Sequence, residues 1–287
     1  MSTRVQEIVD REGTLVFPGV YDALSARIAE RAGFPMAFVS GYAVSATLLG
    51  EPDLGLLTQT EVVERARHIC RAVSIPIIVD ADTGYGNPLN VVRTVEGLID
   101  AGAAGCFLED QQWPKRCGHM RGKKVIDRQE YLDKIRAAVD AREDRDFFIV
   151  ARTDAIATNG LDEALARAEA ARALGANATF VEAPRSLDEL REVGRRSPKP
   201  TVANMIEQGK TPVLDEAELA ELGFNLVLYP LAGLYASAHA IADIYGRLRD
   251  ERTTRSAGDR MMAFDTFNDL IGMEERDRMA KRYGESE

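Results

Sequence analysis

The sequence predicts a (β/α)8 barrel followed by a helical tail. Eight short apolar runs recur down the chain, at 15–17, 36–39, 75–79, 105–108, 147–151, 178–181, 201–203 and 226–228. Each is rich in branched or aromatic residues, as a strand buried on both faces should be. Helical patterns with start and stop signals lie between them. The length, 287 residues, accommodates one barrel of about 250 residues plus an extension. A doubly wound open sheet is the other architecture that this alternation allows.

The elements follow in order. The helix after 15–17 closes on Arg31-Ala32-Gly33, just ahead of 36–39. Thr58-Gln59-Thr60-Glu61 reads as a capping box that opens a helix through Val62, Val63 and Ala66. Ala101-Gly102 precedes 105–108, and Leu174-Gly175 precedes 178–181. Ser186-Leu187-Asp188-Glu189 reads as a second capping box, and Leu222-Gly223 leads into 226–228. Glycine at these positions is the expected helix C-cap. Two connections, 41–58 and 110–127, are long for a compact domain, and such loops are often functional. After Gly246 the pattern changes. An Arg-rich stretch, 247–255, leads to short helical segments around 261–267 and 274–283. The expected division is a catalytic barrel over 1–246 and a tail over 247–287 that serves assembly.

Composition narrows the function. The 46 acids outnumber the 36 bases, for a net charge of −10, which speaks against nucleic acid or an acidic membrane as the main partner. Nothing approaches the ~20 apolar residues of a membrane span. The polar start, 1–10, has no secretory signal pattern, so the cytoplasm is the default compartment. Three cysteines, Cys70, Cys106 and Cys117, without C-x-x-C spacing, argue against a disulfide framework or structural zinc. Cys70 and Cys106 read as small buried hydrophobes, His68 as a surface residue and His239 as packed in the last barrel helix.

Barrel active sites sit at the C-terminal ends of the strands. Seven of the eight runs stop there on a polar or ionisable group: Ser40, Asp80, Glu109, Arg152, Glu182, Asn204 and Tyr229. Asp80 and Asp82 are two apart, so on a strand both would face one mouth. With Glu109 alongside they make an oxygen-rich site suited to Mg²⁺ or Mn²⁺, and no base lies nearby in sequence to neutralise them. A cap or turn role for Asp82 before Gly84-Tyr85-Gly86-Asn87 is the alternative.

The second feature is Lys115-Arg116-Cys117-Gly118-His119-Met120-Arg121-Gly122-Lys123-Lys124, with five Lys or Arg, one His and no acid in ten residues. Such a segment can close over an anionic substrate, and its cations would favour a Cys117 thiolate. A solvated basic loop with an incidental cysteine is the other reading. Gly209-Lys210-Thr211 is not a P-loop, because Asn204 stands where its first glycine is needed. No lysine ends a strand, which weakens a Schiff-base mechanism.

Lys115-Arg116-Cys117-Gly118-His119 resembles the signature loop of the isocitrate lyase and phosphoenolpyruvate mutase superfamily. Ser40-Gly41-Tyr42, Glu51-Pro52-Asp53-Leu54-Gly55, Asp80 to Asn87, Leu108-Glu109-Asp110-Gln111, Ala151-Arg152-Thr153-Asp154-Ala155, Val181-Glu182-Ala183 and Ala203 to Pro212 resemble its other motifs. The agreement spans roughly 15–235 and is nearest to the lyase branch, with 2-methylisocitrate lyase, 2,3-dimethylmalate lyase and petal death protein.

The resemblance implies a barrel whose last helix is exchanged between subunits of a homotetramer. It implies Mg²⁺ at Asp80, with Asp82, Asp53 and Glu109 acting largely through water. Ser40, Gly41, Gly118, Glu182, Asn204, Thr211 and Pro212 would bind a small carboxylate substrate. Arg152 would bind its reacting oxygens, and Cys117, Lys115 and His119 would act from the gating loop. The implied activity is cleavage of a 2-alkylmalate, 2,3-dimethylmalate or 2-methylisocitrate to pyruvate and a second carboxylate.

Two positions refine the choice. A tyrosine that is a candidate base in 2-methylisocitrate lyases is Phe38 here, and the nearby tyrosine is Tyr42, which leaves the base open. Oxaloacetate hydrolases of the family tend to carry a serine where this chain has Pro230. The alternatives are a carboxyphosphonoenolpyruvate phosphonomutase, an oxaloacetate hydrolase and a barrel that only binds metabolites.

Overall fold

The computed structural model describes residues 3–120 and 122–284. The chain divides into two compact units, 1–233 and 234–287. In the first, eight parallel strands appear as the apolar runs require: β1 (Leu15–Val20), β2 (Ala37–Val39), β3 (Ile77–Asp80), β4 (Gly105–Glu109), β5 (Phe148–Thr153), β6 (Ala178–Val181), β7 (Val202–Asn204) and β8 (Leu226–Tyr229). Neighbours run consecutively, β6-β5-β4-β3-β2-β1-β8-β7, without the reversal of a doubly wound sheet. The ring closes at a single parallel bridge, Thr179 to Thr201, whose hydroxyls are 3.1 Å apart. The fold is a (β/α)8 barrel.

Helices alternate with the strands: α1 (Arg4–Glu12), α2 (Ala23–Arg31), α3 (Gly41–Val44), α4 (Gln59–Ala72), α5 (Pro88–Asp100), α6 (Arg128–Arg142), α7 (Leu161–Ala173), α8 (Leu187–Arg196) and α9 (Glu216–Glu221). The Thr58/Glu61 capping box is formed in full at α4. At α8 only half of one forms. Ser186 caps the Glu189 amide, but the Glu189 carboxylate turns back to Arg185. The arginine outcompetes the N-cap amide because its ionised guanidinium binds the carboxylate bidentately, through Nε and Nη2. Gly33, Gly102, Gly175 and Gly223 all have positive φ, as expected of C-cap glycines.

Side-chain alternation along the strands builds two layers. Phe17, Phe38, Ile78, Phe107, Phe148, Val150, Phe180, Val202 and Leu228 fill the barrel together with Val5 and Val9 of α1. The next residues along, such as Val39, Val79, Leu108 and Ile149, pack outward against Val62, Val95, Leu98 and Ile135 of the helices. The first strand runs to Val20 because Gly19 lets it pass the Pro230 backbone, where a Cβ would meet the carbonyl oxygen at 2.1 Å.

The second unit contains most of α10 (Ala232–Glu251), then α11 (Phe264–Ile271) and α12 (Met273–Arg282). None of the α10 residues is buried, and Tyr235, Ile241, Tyr245, Leu248, Phe264 and Ile271 are exposed. His239 is correspondingly exposed rather than packed, whereas His68 is exposed as expected. Cys106 is buried and Cys70 only partly so. Among the described residues, no helix is long and apolar enough to cross a membrane.

Candidate active site

A cavity opens at the C-terminal ends of the strands. Ser40, Tyr42, Asp53, Asp80, Cys117, Gly118, Arg152, Glu182 and Asn204 line it, so nine of the sixteen site residues expected from the sequence meet there. Gly41, Asp82, Glu109, Lys115 and His119 stand immediately behind this lining and contact it. Thr211 and Pro212, on the loop after β7, do not line the cavity.

Each strand end places its group for a local reason. Ser40 leaves β2 as the N-cap of α3, its Oγ accepting from the Ala43 amide at 3.3 Å. Gly41 follows because a Cβ would lie 2.9 Å from Asp80 Oδ2. Asp80 ends β3, but Asp82 does not continue the strand. Its φ is +47°, and its amide donates to Asp80 Oδ1 at 3.2 Å. The two acids therefore share the mouth through a turn and not through strand alternation, and the turn role of Asp82 coexists with its place in the cluster.

The acid cluster is not left unneutralised. Lys115 Nζ lies 2.6 Å from Asp53 Oδ1 and 2.6 Å from Asp82 Oδ1, and all three side chains are buried. The neutralising base comes from the long loop after β4, which local sequence could not reveal. Burial disfavours the Lys115 charge, but Asp82 and Asp53 outweigh it and hold the ammonium protonated. Burial pushes the Glu109 carboxyl well up, and Arg152 opposes it, Nη2 lying 3.1 Å from Oε2.

The residues present fit a hard divalent cation. Neither carboxylate oxygen of Glu109 accepts a hydrogen bond although both are buried. Asp53, Asp80 and Asp82 add only oxygen donors. Among the described residues, no three acid, histidine or cysteine side chains form a ready-made cage. A Mg²⁺ ion here would therefore be held by one or two carboxylates and keep several waters.

The basic segment covers this mouth and is not simply a solvated loop. Lys115 and Lys123 are buried, Arg116 and Lys124 are exposed, and Arg121 lies outside the described residues. Cys117 donates its amide to Asp53 O at 3.3 Å. The expected thiolate is corrected. Burial pushes the Cys117 thiol up to about 11, with the negative charges of Asp53 and Glu182 adding to it, so the group is a protonated thiol near neutral pH. His119 accepts the Lys210 amide at Nδ1 (2.9 Å), which places its proton on Nε2, 3.0 Å from Glu182 Oε1. Asn204 donates to the same carboxylate at 3.2 Å.

Gly118 has no room for a side chain, since a Cβ would fall 2.5 Å from the buried Glu182 carboxylate. Gly118→Ala is therefore expected to lift the segment and displace Cys117. A shift of about 1 Å at reacting groups costs on the order of 100-fold in rate. Unchanged steady-state kinetics would show that the segment tolerates the methyl group.

Reading strand ends alone missed three features. Phe38, Phe107 and Phe180 form an aromatic floor, with ring centroids 4.7 and 5.6 Å apart, and the Arg152 guanidinium carbon lies 5.5 Å from the Phe180 centroid. Each of these rings stands two residues before a polar strand end (Ser40, Glu109, Glu182), so period-two alternation was the available signal. Asp154 takes Arg152 Nε at 3.0 Å and Lys123 Nζ at 2.6 Å. Asp110, beneath it, accepts the Asp154 amide at 2.8 Å and the Thr153 hydroxyl at 2.6 Å.

Asp154 gives a pH prediction. Burial works against its charge, but Arg152 and then Lys123 outweigh it and hold the carboxyl below the ordinary carboxylate range. A depressed folded value contributes stability that is present above the unfolded value of about 3.9 and is lost as pH falls through the folded one. Asp154→Asn should therefore cost most stability at pH 7 and progressively less below about pH 4. Thermal melts across that range test this, and a pH-independent penalty would refute it.

The comparisons with known proteins agree with this fold. The family model for phosphoenolpyruvate phosphomutase matches residues 6–248. The chloroplastic carboxyvinyl-carboxyphosphonate phosphorylmutase of Arabidopsis thaliana is 50% identical over 287 residues, 99% of this chain and 85% of that protein. The 2,3-dimethylmalate lyase of Eubacterium barkeri is 44% identical over 273 residues, covering 95% and 94%. Among solved structures, oxaloacetate acetylhydrolase with 3,3-difluorooxalacetate superposes with a TM-score of 0.90 at 37% identity, covering 95% and 93%. Phosphonopyruvate hydrolase in complex with oxalate and Mg²⁺ superposes with a TM-score of 0.88 at 30% identity, covering 98% of each chain.

Proposed function

This chain belongs to the phosphoenolpyruvate mutase/isocitrate lyase superfamily, and on that footing we propose that it is a Mg²⁺-dependent carbon–carbon lyase. Its substrate is a 2-hydroxy di- or tricarboxylate of the 2,3-dimethylmalate, 2-alkylmalate or 2-methylisocitrate type, cleaved to pyruvate and a second carboxylate. The observation that carries this reading is Cys117, a protonated thiol aimed into a cavity that also holds acids and an arginine. A carbanion released by bond cleavage needs such a proton donor.

Asp80 would hold the metal, with Asp53, Asp82 and Glu109 acting largely through water, and the metal would supply Lewis acidity to the substrate oxygens. Arg152 stabilises the negative charge that develops on the 2-oxygen as the hydroxyl loses its proton, and that oxygen becomes the carbonyl of pyruvate as the C2–C3 bond breaks. The electron pair of that bond passes to the departing fragment, whose own carboxylate delocalises it as an enediolate. Lys115 offsets that charge, His119 acts from the same loop through its Nε2 proton, and Cys117 delivers its proton to carbon. Ser40 and Gly41 hold the pyruvate part, while Gly118, Glu182 and Asn204 shape the other side. Tyr42 is a candidate to take the hydroxyl proton. Closure of 115–124 excludes the water that would quench the carbanion.

Assembly into a homotetramer with exchanged C-terminal helices belongs to the same proposal. The fully unburied α10 and the exposed apolar residues of the 234–287 unit support it.

The test is pyruvate release, with Mg²⁺, from 2,3-dimethylmalate, 2-methylisocitrate, other 2-alkylmalates and oxaloacetate. EDTA should abolish turnover, and Mg²⁺ or Mn²⁺ should restore it. Pyruvate from a malate derivative supports the lyase. Oxalate from oxaloacetate would replace it with a hydrolase, contrary to the reading of Pro230. The similarity to the Arabidopsis mutase favours one second reading, a carboxyphosphonoenolpyruvate phosphonomutase. A carbon–phosphorus product seen by ³¹P NMR, with no malate cleaved, would establish that instead.

A further inference from the structure

The two buried lysines of the loop point in different directions. Lys115 enters the acid cluster. Lys123 reaches instead to the end of β5, its Nζ lying 2.6 Å from Asp154 Oδ1 and 2.5 Å from the Gly118 carbonyl. Its side chain is 2% exposed and that of Asp154 is fully buried. The other oxygen of the same carboxylate, Oδ2, takes Arg152 Nε at 3.0 Å. One carboxylate thus joins a cation of the loop to the arginine of the barrel wall.

Asp154 is anchored from below. Its amide donates to Asp110 Oδ1, and Arg167 Nη1 holds Asp110 Oδ2 at 3.1 Å. Gly118 is fixed between the Lys123 ammonium on one side and Glu182 on the other. Cys117 and Gly118 line the cavity, so a substrate entering past them requires this segment to lift. Lifting it carries away the carbonyl that Lys123 holds and with it the second cation on Asp154. A buried carboxylate left with a single cation draws that cation closer. The cation is Arg152, whose Nη2 otherwise stands 3.1 Å from Glu109 at the edge of the cavity.

We propose that Lys123 is a positioning residue that makes the substrate-facing orientation of Arg152 conditional on loop closure, by sharing Asp154 with it only when the loop is down. This rests on the reading of Arg152 as the group that stabilises the reacting oxygen. It gives the enzyme a reason not to assemble its full charge array until water is excluded.

The experiment uses the full-length enzyme with Lys123→Met, Asp154→Asn and the double variant. The first measurement needs no substrate. It is the rate of Cys117 alkylation by iodoacetamide, read by peptide mass spectrometry, with buried Cys106 as the internal control for unfolding. Lys123→Met should raise the Cys117 rate about tenfold or more and leave Cys106 unchanged. If Cys106 also becomes reactive, Lys123→Gln, which keeps a donor for the Gly118 carbonyl, replaces it.

The second measurement is kcat and KM for the substrate that releases pyruvate. Lys123→Met should lower kcat about 10- to 100-fold, by misplacing Arg152. In the Asp154→Asn background it should change kcat by less than about threefold, because the route to Arg152 is already cut. Full multiplication of the two effects would overturn the coupling and reduce Lys123 to a loop latch. An unchanged alkylation rate would overturn it whatever the substrate proves to be. Thus the proposal can fail while the lyase stands, and the reverse also holds.

Discussion

Cys117→Ala is expected to lower kcat by about 10²- to 10⁴-fold, the usual contribution of a positioned general acid, while the protein stays folded. The argument is local. Cys117 lies on a loop wall of the cavity, and removing Sγ opens space toward substrate and not inside the packed barrel. Its backbone contacts, the amide to Asp53 O and the carbonyl from the Met120 amide, need no side chain. The fall should appear in kcat and kcat/KM alike, because the proton is delivered only after the bond has begun to break. Cys117→Ser should recover little, since a hydroxyl holds its proton far more tightly than a thiol pushed up to about 11. Wild-type turnover in the alanine variant would remove Cys117 from the mechanism and with it the main support for the lyase.

Arg152→Met should damage both activity and fold. The guanidinium lies within 3.1 Å of Glu109, 3.0 Å of Asp154 and 3.9 Å of Glu182, all buried acids. Burial alone would disfavour its charge, but those acids outweigh it and hold it protonated. Removing one partner of a buried ion pair leaves uncompensated charge and costs about 3–5 kcal/mol. Loss of oxyanion stabilisation lowers kcat by about 10²- to 10³-fold in addition. Equilibrium unfolding and kinetics measured on the same preparation separate the two effects. A stable, inactive variant would mean that the acids take up protons once the cation is gone. Full activity would remove Arg152 from the site.

The barrel was legible because each strand is apolar on both faces and four of the helices, α2, α5, α7 and α9, run into glycine, so the repeat survives in local composition. The strand-end polar groups were legible for the same reason. Asp80, Glu109, Arg152, Glu182 and Asn204 each interrupt an apolar run where the strand reaches the barrel mouth. By contrast, α1 escaped notice. Its apolar residues, Val5, Ile8 and Val9, span little more than one turn, too short a stretch for a period to be read. The exposure of His239 was also not legible, since an apolar stretch such as 232–246 reads the same whether its residues are buried or exposed.

Local sequence by itself determined the eightfold alternation, the end of the barrel at which chemistry collects, and the residue types gathered there. The tertiary structure alone decided which charges neutralise which. Lys115 reaches Asp53 and Asp82, Lys123 reaches Asp154, and the thiol of Cys117 is protonated although cations flank it in sequence. The physical reason is range. Propensity, capping and periodicity act over a few residues and leave their mark in adjacent letters. Coulombic pairing and desolvation depend on distances across space, which are set only once the loops have folded back over the barrel mouth.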